Sequence, residues 1–242
     1  APLLENYRIT QTMLPLGTPC GPWRAPRSNG IAFAVQSFIH ELADAAGRDH
    51  LEFLLEIMGR PRWLDPGNTR TLNTGRAVDV IKLAAEKAGW GKRLPGGRGL
   101  GLAFYFSHAG HFAEVAEVSV DDNRKVTVHQ VTVAADVGPI VNMSGAENQC
   151  QGAVIDGLST TLGLGLAIEN GRVQESNFDQ YPLLRIGSAP KVDVHFIQSE
   201  YAPTGLGEPA LPPIAPAVCN AIFAASGYRV RELPLAKEGF SV

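Results

Sequence analysis

The hydrophobic pattern of this chain changes its period once, at the glycine-rich stretch PGGRGLG at residues 95–101. Before this stretch, apolar residues recur at the spacing of one face of an α-helix. After it, apolar residues alternate with other residues, as in β-strands that bury one face. Because helices come first and strands follow, the pattern predicts an α+β fold with a mainly antiparallel sheet in its later part.

Three helices are predicted before the change of period, over residues 31–46, 49–58 and 75–89. Ser28 or Asn29 is placed to cap the start of the first helix, and Gly47 to end it. The preceding segment LGTPCGPWRAPRSNG, residues 16–30, is too rich in Gly and Pro for a helix or a central strand. We therefore expect a loop of fixed shape there.

Strands dominate the chain after the change of period. They are predicted over residues 102–106, 112–120, 125–137 and 191–198, with two helices over 144–164 and 213–226. Asp121-Asp122-Asn123 has the composition of a hairpin turn. Pro95 marks the one candidate boundary, so we expect a helical part over residues 1–94 and a sheet-and-helix part over 95–242, joined as one structural unit.

Composition excludes several classes of protein. The formal net charge is -3 and the 21 Lys and Arg residues are scattered, so no nucleic-acid-binding surface is indicated. No apolar run approaches the roughly 20 residues that a membrane span needs, and the start APLLENYRIT lacks the pattern of a signal peptide. Cys20, Cys150 and Cys219 lie far apart without a CxxC pair, which argues against a structural zinc, an iron–sulfur cluster or a disulfide framework.

The stretch TGLGEPALPP, residues 204–213, sets one carboxylate between two glycines and three prolines. Gly205 and Gly207 allow the backbone to approach a ligand closely, while the prolines fix the outgoing chain. A carboxylate presented in this way, in a partly desolvated pocket, can act as a general base toward a bound water or hydroxyl. The alternative is a tight turn in which Glu208 caps the next helix or faces solvent.

Two other stretches carry groups suited to binding. In GPWRAPRSNG, residues 21–30, Arg24 is flanked by prolines, and a guanidinium held there suits an oxyanion, a phosphate or a metal-bound oxo group. The alternative is an ordinary surface arginine. In NQCQG, residues 148–152, the amides of Gln149 and Gln151 can donate to a phosphate or to the edge of a pterin-like ring. Capping of the helix is the alternative.

Metal and nucleophile motifs are weak by comparison. His108 and His111 in SHAGHF are separated by a glycine, which is typical of a turn rather than of a metal-binding pair on a helix. No third ligand lies nearby in the sequence, so we expect no metal held by protein side chains. GxSxG, P-loop and GxGxxG patterns in their required contexts are lacking, which disfavours acyl transfer, nucleotide hydrolysis and a Rossmann dehydrogenase.

Taken in order, these stretches resemble a known family. GPWRAPRSNGIAFAVQSFIHELADAAG, then NQCQGAVIDGLS, then GLGEPALPPIAPAVCNAIFAAS are similar to the C-terminal part of the large, molybdopterin-binding subunit of the molybdenum hydroxylases, the xanthine oxidase family. The likeness is greatest to the beta subunit of isoquinoline 1-oxidoreductase and to related bacterial aldehyde dehydrogenases. It covers nearly the whole chain, and it implies the fold of the family's molybdopterin-binding domain.

The resemblance also implies roles for particular residues. Glu208 matches the glutamate that serves the family as the catalytic base, and it would deprotonate a hydroxyl at the molybdenum centre. No side chain of this chain is implied to ligate the metal. The residues that match or adjoin the family's cofactor-binding positions are Pro22, Trp23, Arg24, Gln149, Gln151, Gly152, Gly205 and Gly207.

The implied cofactor is molybdenum bound to molybdopterin, in its cytosine dinucleotide form. Two cofactor loops of the family, one glycine-rich with an aromatic residue and one of the Gln-Gly-Gln-Gly type, are not found in this sequence. The resemblance therefore implies that the cofactor is shared with the remaining part of the large subunit. It further implies a small subunit that holds the [2Fe-2S] clusters, since three scattered cysteines cannot hold one.

Oxidation of an N-heterocycle or an aldehyde is the activity that the resemblance implies. The main alternative is a scaffold or assembly fragment whose cofactor site is not completed. A hydrolase that uses Glu208 alone to activate water lacks a partner carboxylate in the sequence. A bacterial cytoplasm and a periplasm are both compatible with this sequence, and the location stays open.

Overall fold

A computed structural model describes residues 3, 4, 6 and 8–241. The helices are α1 (Ser28–Ala45), α2 (His50–Met58), α3 (Thr74–Ala88), α4 (Met143–Leu162) and α5 (Ile214–Ser226). The strands are β1 (Arg98–Ser107), β2 (Gly110–Val120), β3 (Val126–Asp136), β4 (Ile168–Glu169), β5 (Arg172–Val173) and β6 (Lys191–Phe196). Helices lead and strands follow, so the predicted α+β class is confirmed.

One four-stranded sheet organises the molecule, with strand order β1-β2-β3-β6. The pairs β1/β2 and β2/β3 are antiparallel, whereas β6 runs parallel to β3. A parallel neighbour requires a crossover connection, and the segment between β3 and β6 contains α4 together with the small β4-β5 hairpin. The sheet is thus mainly antiparallel, as the alternating pattern predicts.

Both hairpins of the sheet close with tight turns. His108 and Ala109 join β1 to β2, and both have positive φ angles, of 53° and 64°. This is the backbone of a two-residue hairpin loop. The second hairpin contains the predicted turn at 121–123, where the Asp121 carboxylate accepts hydrogen bonds from the backbone N–H groups of Asn123 and Lys125.

One face of the sheet packs against α4 and α5. The core on this side includes Phe112 and Val133 from the strands, Leu158 from α4, and Ile214 and Val218 from α5, all fully or almost fully buried. Burial of side chains of this size stabilises a fold by about 1.5–3 kcal/mol each. This face therefore anchors the two helices that flank the candidate site.

β1 approaches α5 so closely that it needs glycines. A Cβ at Gly99 would lie 2.5 Å from the Ala221 carbonyl oxygen, and one at Gly101 would overlap the α5 backbone as well. The strand begins at Arg98 rather than at Leu102, so the predicted start of this strand is wrong by four residues. Glycine in a strand marks close backbone approach as well as a loop.

The opposite face of the sheet is covered by α2 and α3. Leu54 and Ile81 from these helices pack against Leu102, Phe104 and Val115 of the strands. Asp49 caps α2 by accepting a hydrogen bond from the N–H of Glu52, and Asn73 caps α3. The connection that contains Pro95 lies between α3 and β1.

α1 begins differently from its prediction. It starts at Ser28, with Arg27 in the N-cap position and no side-chain cap, so capping by Ser28 or Asn29 is wrong. The Asn29 amide instead donates a hydrogen bond to the Arg24 carbonyl oxygen at 3.0 Å. The Asn29 side chain therefore stabilises the preceding loop, which belongs to the candidate site, whereas Ser28 Oγ lies 3.2 Å from Ser107 Oγ of β1.

Candidate cofactor site

Four segments that are distant in sequence meet at one edge of the molecule. They are the loop that carries Arg24, the N-terminal half of α4, the loop over residues 204–210 and the β1–β2 turn. The backbone N–H of Thr204 donates to the Val137 carbonyl oxygen at 3.0 Å, which ties the third of these segments to the end of β3. Glu208 lies at the centre of the group.

The guanidinium of Arg24 holds three of these segments together. Its Nε donates to the Gly207 carbonyl oxygen at 2.8 Å, and its Nη2 donates to the same oxygen. Nη2 also donates to the Gln149 carbonyl oxygen at 3.1 Å and to Gln149 Oε1 at 3.0 Å. Arg24 Nε and Nη2 thus donate to acceptors within the protein, and these hydrogen bonds fix the positions of Gly207 and Gln149.

Asp156 of α4 lies on the far side of Arg24, with Oδ2 3.9 Å from Arg24 Nη1. Burial raises the pKa of the Asp156 carboxyl, and the nearby Arg24 charge opposes that rise. The pair adds one more connection between α4 and the Arg24 loop.

The Glu208 carboxylate is held at one oxygen. Glu208 Oε2 accepts a hydrogen bond from the backbone N–H of Ala25 at 3.1 Å, and His108 Nε2 lies 3.1 Å from the same oxygen. Among the residues that the structure describes, none donates a hydrogen bond to Oε1, and the side chain is 39% exposed. Capping by Glu208 is wrong, because α5 has Pro213 as its N-cap and no side-chain hydrogen bond there.

Ala25 has an unusual backbone. It is buried and has a φ of 52°, which is uncommon for a residue other than glycine, and it precedes Pro26. A hydrogen bond of 3.1 Å from the Ser28 N–H to the Ala25 carbonyl oxygen helps to keep this conformation. Such strain persists only where the surroundings impose it. Here it accompanies an N–H group that points at the Glu208 carboxylate.

His108 is a site residue that the sequence pattern did not reveal. Its Nδ1 lies 2.8 Å from Ser107 Oγ, and that hydroxyl lies 3.2 Å from Ser28 Oγ. The backbone carbonyl oxygen of His108 accepts a hydrogen bond from the Gly205 N–H at 3.1 Å. A Cβ at Gly205 would lie 2.6 Å from His108 Cβ, so the glycine is what allows the loop to reach the turn.

The other histidine of SHAGHF lies elsewhere. His111 is fully buried, and its Nε2 accepts a hydrogen bond from the backbone N–H of Asn73 at 3.0 Å. Burial lowers the pKa of His111 to about 3, so it is neutral at physiological pH. Within residues 3, 4, 6 and 8–241, no group of three or more His, Cys, Asp or Glu side chains is arranged to hold a metal ion.

The remaining predicted binding residues lie around this cluster. Gly152 faces Arg24, since a Cβ there would lie 3.6 Å from Arg24 Nη1. Pro22, Trp23 and Gln151 are exposed, and in the described part of the chain their side chains make no hydrogen bond. Trp23 is 48% exposed. These three side chains are therefore free to contact a ligand or another chain.

An open cavity of about 370 Å³ adjoins the cluster. Gln149, Leu206, Thr204, Ile140 and Asn142 are among its lining residues. Gln149 Oε1 accepts from Arg24, whereas the Nε2 amide makes no hydrogen bond to a described residue and can donate into this space. An uncharged donor at the edge of a cavity fits a pterin, whose ring edge carries hydrogen-bond acceptors.

None of the helices in the described part of the chain has the length and apolar character required to cross a membrane.

Comparisons with known proteins identify the family of this chain. The family described as "Molybdopterin cofactor-binding domain" matches residues 69–190, about half of the chain. The chain is 34% identical over 241 residues to the membrane-bound aldehyde dehydrogenase (pyrroloquinoline-quinone) of Gluconacetobacter polyoxogenes, covering 96% of this chain and 30% of that protein. It is 30% identical over 210 residues to isoquinoline 1-oxidoreductase subunit beta of Brevundimonas diminuta, covering 85% and 25%.

Among solved structures, the aldehyde oxidoreductase of Desulfovibrio gigas aligns with a TM-score of 0.68 at 14% identity, covering 88% of this chain and 40% of that chain. This likeness shows a shared fold. The chain spans only about a quarter to a third of the length of the two curated relatives. The family match and the relatives establish that this chain belongs to the molybdopterin-binding subunits of the molybdenum hydroxylase family.

Proposed function

We propose that this chain forms part of a molybdenum hydroxylase that oxidises an N-heterocycle or an aldehyde with oxygen taken from water, and that Glu208 is its general base. The observation that carries the proposal is the one-sided anchoring of the Glu208 carboxylate. A base must be fixed in direction yet keep an oxygen with room for the proton. Oε2 supplies the fixed point, and Oε1 is the oxygen left to accept a proton.

The cofactor would lie against the cavity beside Glu208. Gln149 would donate its free amide to the pterin, with Gln151 and Trp23 as neighbours on the exposed rim. When bound, the molybdenum centre supplies the electron-accepting group of the reaction. Arg24 supports this arrangement indirectly, because its hydrogen bonds hold Gln149 and Gly207 side by side.

The glycines act through the backbone, whereas Pro22 belongs with Trp23 to the exposed rim. Gly205 lets the loop lie close to the turn at His108, since a Cβ there would lie 2.6 Å from His108 Cβ. Gly207 lies beside the Gln149 side chain, where a Cβ would be in ordinary contact with Gln149 Oε1 at 3.7 Å. Gly152 lies next to the Arg24 guanidinium. We propose that these positions shape the wall that faces the cofactor. The proposed cofactor is the cytosine dinucleotide form of molybdopterin.

The remaining part of the large subunit is the proposed first partner. α1 carries an apolar stripe at helical spacing whose side chains are 41–58% exposed, comprising Ile31, Val35, Phe38 and Leu42. A stripe of this kind favours a covering partner. The segments 1–94 and 95–242 together would then form one structural unit of a larger domain, since α3 packs on the sheet. A small subunit with the [2Fe-2S] clusters is the proposed second partner.

The names of the two relatives point to the substrate classes proposed here, since one is an aldehyde dehydrogenase and the other acts on isoquinoline. Both classes present an electron-poor carbon next to a heteroatom, which is where a water-derived hydroxyl is added.

The test is made on the complete enzyme that contains this chain, purified from its source. Native mass spectrometry and metal analysis are expected to find molybdenum, a pterin dinucleotide and larger partner chains. Turnover of an aldehyde or an N-heterocycle in H₂¹⁸O is expected to place ¹⁸O in the product. Absence of molybdenum, or oxygen derived from O₂ instead of water, would refute the proposal.

A further inference from the structure

We propose that His108 is a positioning residue that acts through Glu208, an inference that rests on the function proposed above. The imidazole Nε2 lies 3.1 Å from Glu208 Oε2, on the oxygen that also accepts from Ala25. With the backbone N–H on one side and the imidazole on another, the carboxylate has little freedom to rotate. Oε1 is thereby kept in one direction.

The imidazole is itself held in place. Ser107 Oγ lies 2.8 Å from His108 Nδ1, and Ser107 is almost completely buried. Because Nδ1 is paired with this hydroxyl, Nε2 is the nitrogen that faces Glu208. Ser28 Oγ, 3.2 Å from Ser107 Oγ, extends the chain of polar contacts to the start of α1.

The backbone at His108 adds a second constraint. The residue occupies a hairpin position with a φ of 53°, where glycine or asparagine would be the ordinary choice. A histidine there points its side chain away from the hairpin and toward the Glu208 loop, while its own carbonyl oxygen accepts from the Gly205 N–H. The turn and the loop are therefore joined by two contacts, one of backbone and one of side chain.

The first test compares two substitutions in the same turn of the complete enzyme. His108→Asn removes the imidazole but suits the positive φ, and Ala109→Gly, the matched control, alters the turn without touching the imidazole. His108→Asn is expected to lower kcat about tenfold with KM nearly unchanged, as for the loss of a group that orients a base. Ala109→Gly is expected to leave both constants as they are. Unchanged kcat in His108→Asn, or an equal loss in Ala109→Gly, would overturn the inference.

The second test asks whether His108 acts through Glu208. In a Glu208→Asp background the shorter carboxylate no longer reaches the imidazole, so adding His108→Asn is expected to cost less than twofold more. A further tenfold loss in the double variant would show an independent role and overturn the inference. The single variant Glu208→Gln is measured alongside this cycle. If it leaves turnover intact, the function proposed above fails. If it abolishes turnover while the cycle shows no coupling, only the role of His108 fails.

A third readout requires no turnover and no cofactor. Diethyl pyrocarbonate modifies unprotonated, accessible imidazoles, and peptide mass spectrometry reports the rate at His108. Replacement of Glu208 by Ala is expected to speed modification of His108 about threefold, because Nε2 is released from its contact with the carboxylate oxygen. The rate at His129, which lies on β3 away from the site, serves as the internal control. Equal rates at His108 in the two proteins would contradict the contact.

Discussion

Asp136 and Glu208 are two carboxylates on connected segments, and they differ in burial and in the number of their oxygens that accept hydrogen bonds. Asp136, at the end of β3, is 2% exposed and receives hydrogen bonds at both oxygens. Glu208 is partly exposed and is held at a single oxygen. A fully satisfied buried carboxylate is a structural element, whereas one that is fixed but incompletely satisfied is available for chemistry.

The Asp136 environment is built around Arg76. Arg76 Nε donates to Oδ2 at 2.7 Å and Nη2 to Oδ1 at 2.8 Å, and Ser199 Oγ donates to Oδ1 at 2.6 Å. Burial by itself would raise the pKa of Asp136, but the hydrogen bonds from Arg76 and Ser199 outweigh it and lower the pKa. The stabilisation is present above the unfolded pKa, near pH 4, and is lost as the pH falls through the folded value.

Breaking the buried pair is expected to have the largest effect on stability. Asp136→Asn leaves the Arg76 charge buried without its counterion, so the free energy of unfolding should fall by about 3–5 kcal/mol. The matched control is Glu56→Gln at the exposed pair with Arg48, whose N···O distance is 2.6 Å. Its unfolding midpoint should match that of the parent protein. Urea unfolding measures both, and an Asp136→Asn protein as stable as the parent would remove the contrast between the two carboxylates.

Separating the Glu208 loop from the hairpin turn is expected to have an intermediate effect. The Cβ in Gly205→Ala would lie 2.6 Å from His108 Cβ, so the loop must shift, at a cost of about 1–3 kcal/mol in stability. Because Glu208 moves with the loop, kcat should fall by a larger factor than stability alone explains. Gly187→Ala is the control, since its Cβ would meet no atom within 4 Å. Normal kcat in Gly205→Ala would show that close approach of the loop is unnecessary.

A third carboxylate, that of Glu114, extends the comparison, and its replacement is expected to have the smallest effect on stability. Glu114 on β2 is fully buried, and neither oxygen finds a hydrogen-bond partner among the described residues. Burial raises the pKa of Glu114 well above its usual value. Its contribution to stability is therefore complete below the unfolded pKa, near pH 4.5, and declines as the pH rises toward the folded value.

Glu114→Gln removes this titration at little change in volume. The melting temperature of the variant relative to the parent should rise as the pH increases from the unfolded pKa toward the folded one, with no such trend in the Glu56→Gln control. A difference that stays constant across this range would mean that Glu114 is paired in the folded protein.

Much of the fold could be predicted from the sequence, because periodicity is a local property. The order of helices and strands and the turn at 121–123 follow from patterns within a few residues. The predicted start of β1, at residue 102, is wrong because Gly99 and Gly101 have no side chains to continue the alternating pattern. The structure needs glycine at both positions because α5 lies close to the strand. That proximity joins positions more than 100 residues apart, and no local pattern encodes it.

The candidate site divides in the same way. Arg24, Gln149 and Glu208 could be identified as candidates from the composition of their own segments. The order of these segments along the chain then indicated the family. That the Arg24 guanidinium serves the protein backbone, and that His108 joins Glu208, could not be predicted, since both contacts depend on how distant loops pack. The sequence pattern identifies such groups more readily than it identifies their partners.

The most direct test of the central claim is the turnover of Glu208→Gln in the complete enzyme, with molybdenum content and melting temperature measured on the same sample. Gln has nearly the same shape but cannot accept the proton. The predicted result is a loss of kcat of at least about 10²-fold, with metal content and melting temperature unchanged. Turnover at the parent rate in a fully loaded Glu208→Gln enzyme would contradict the assignment of Glu208 as the base.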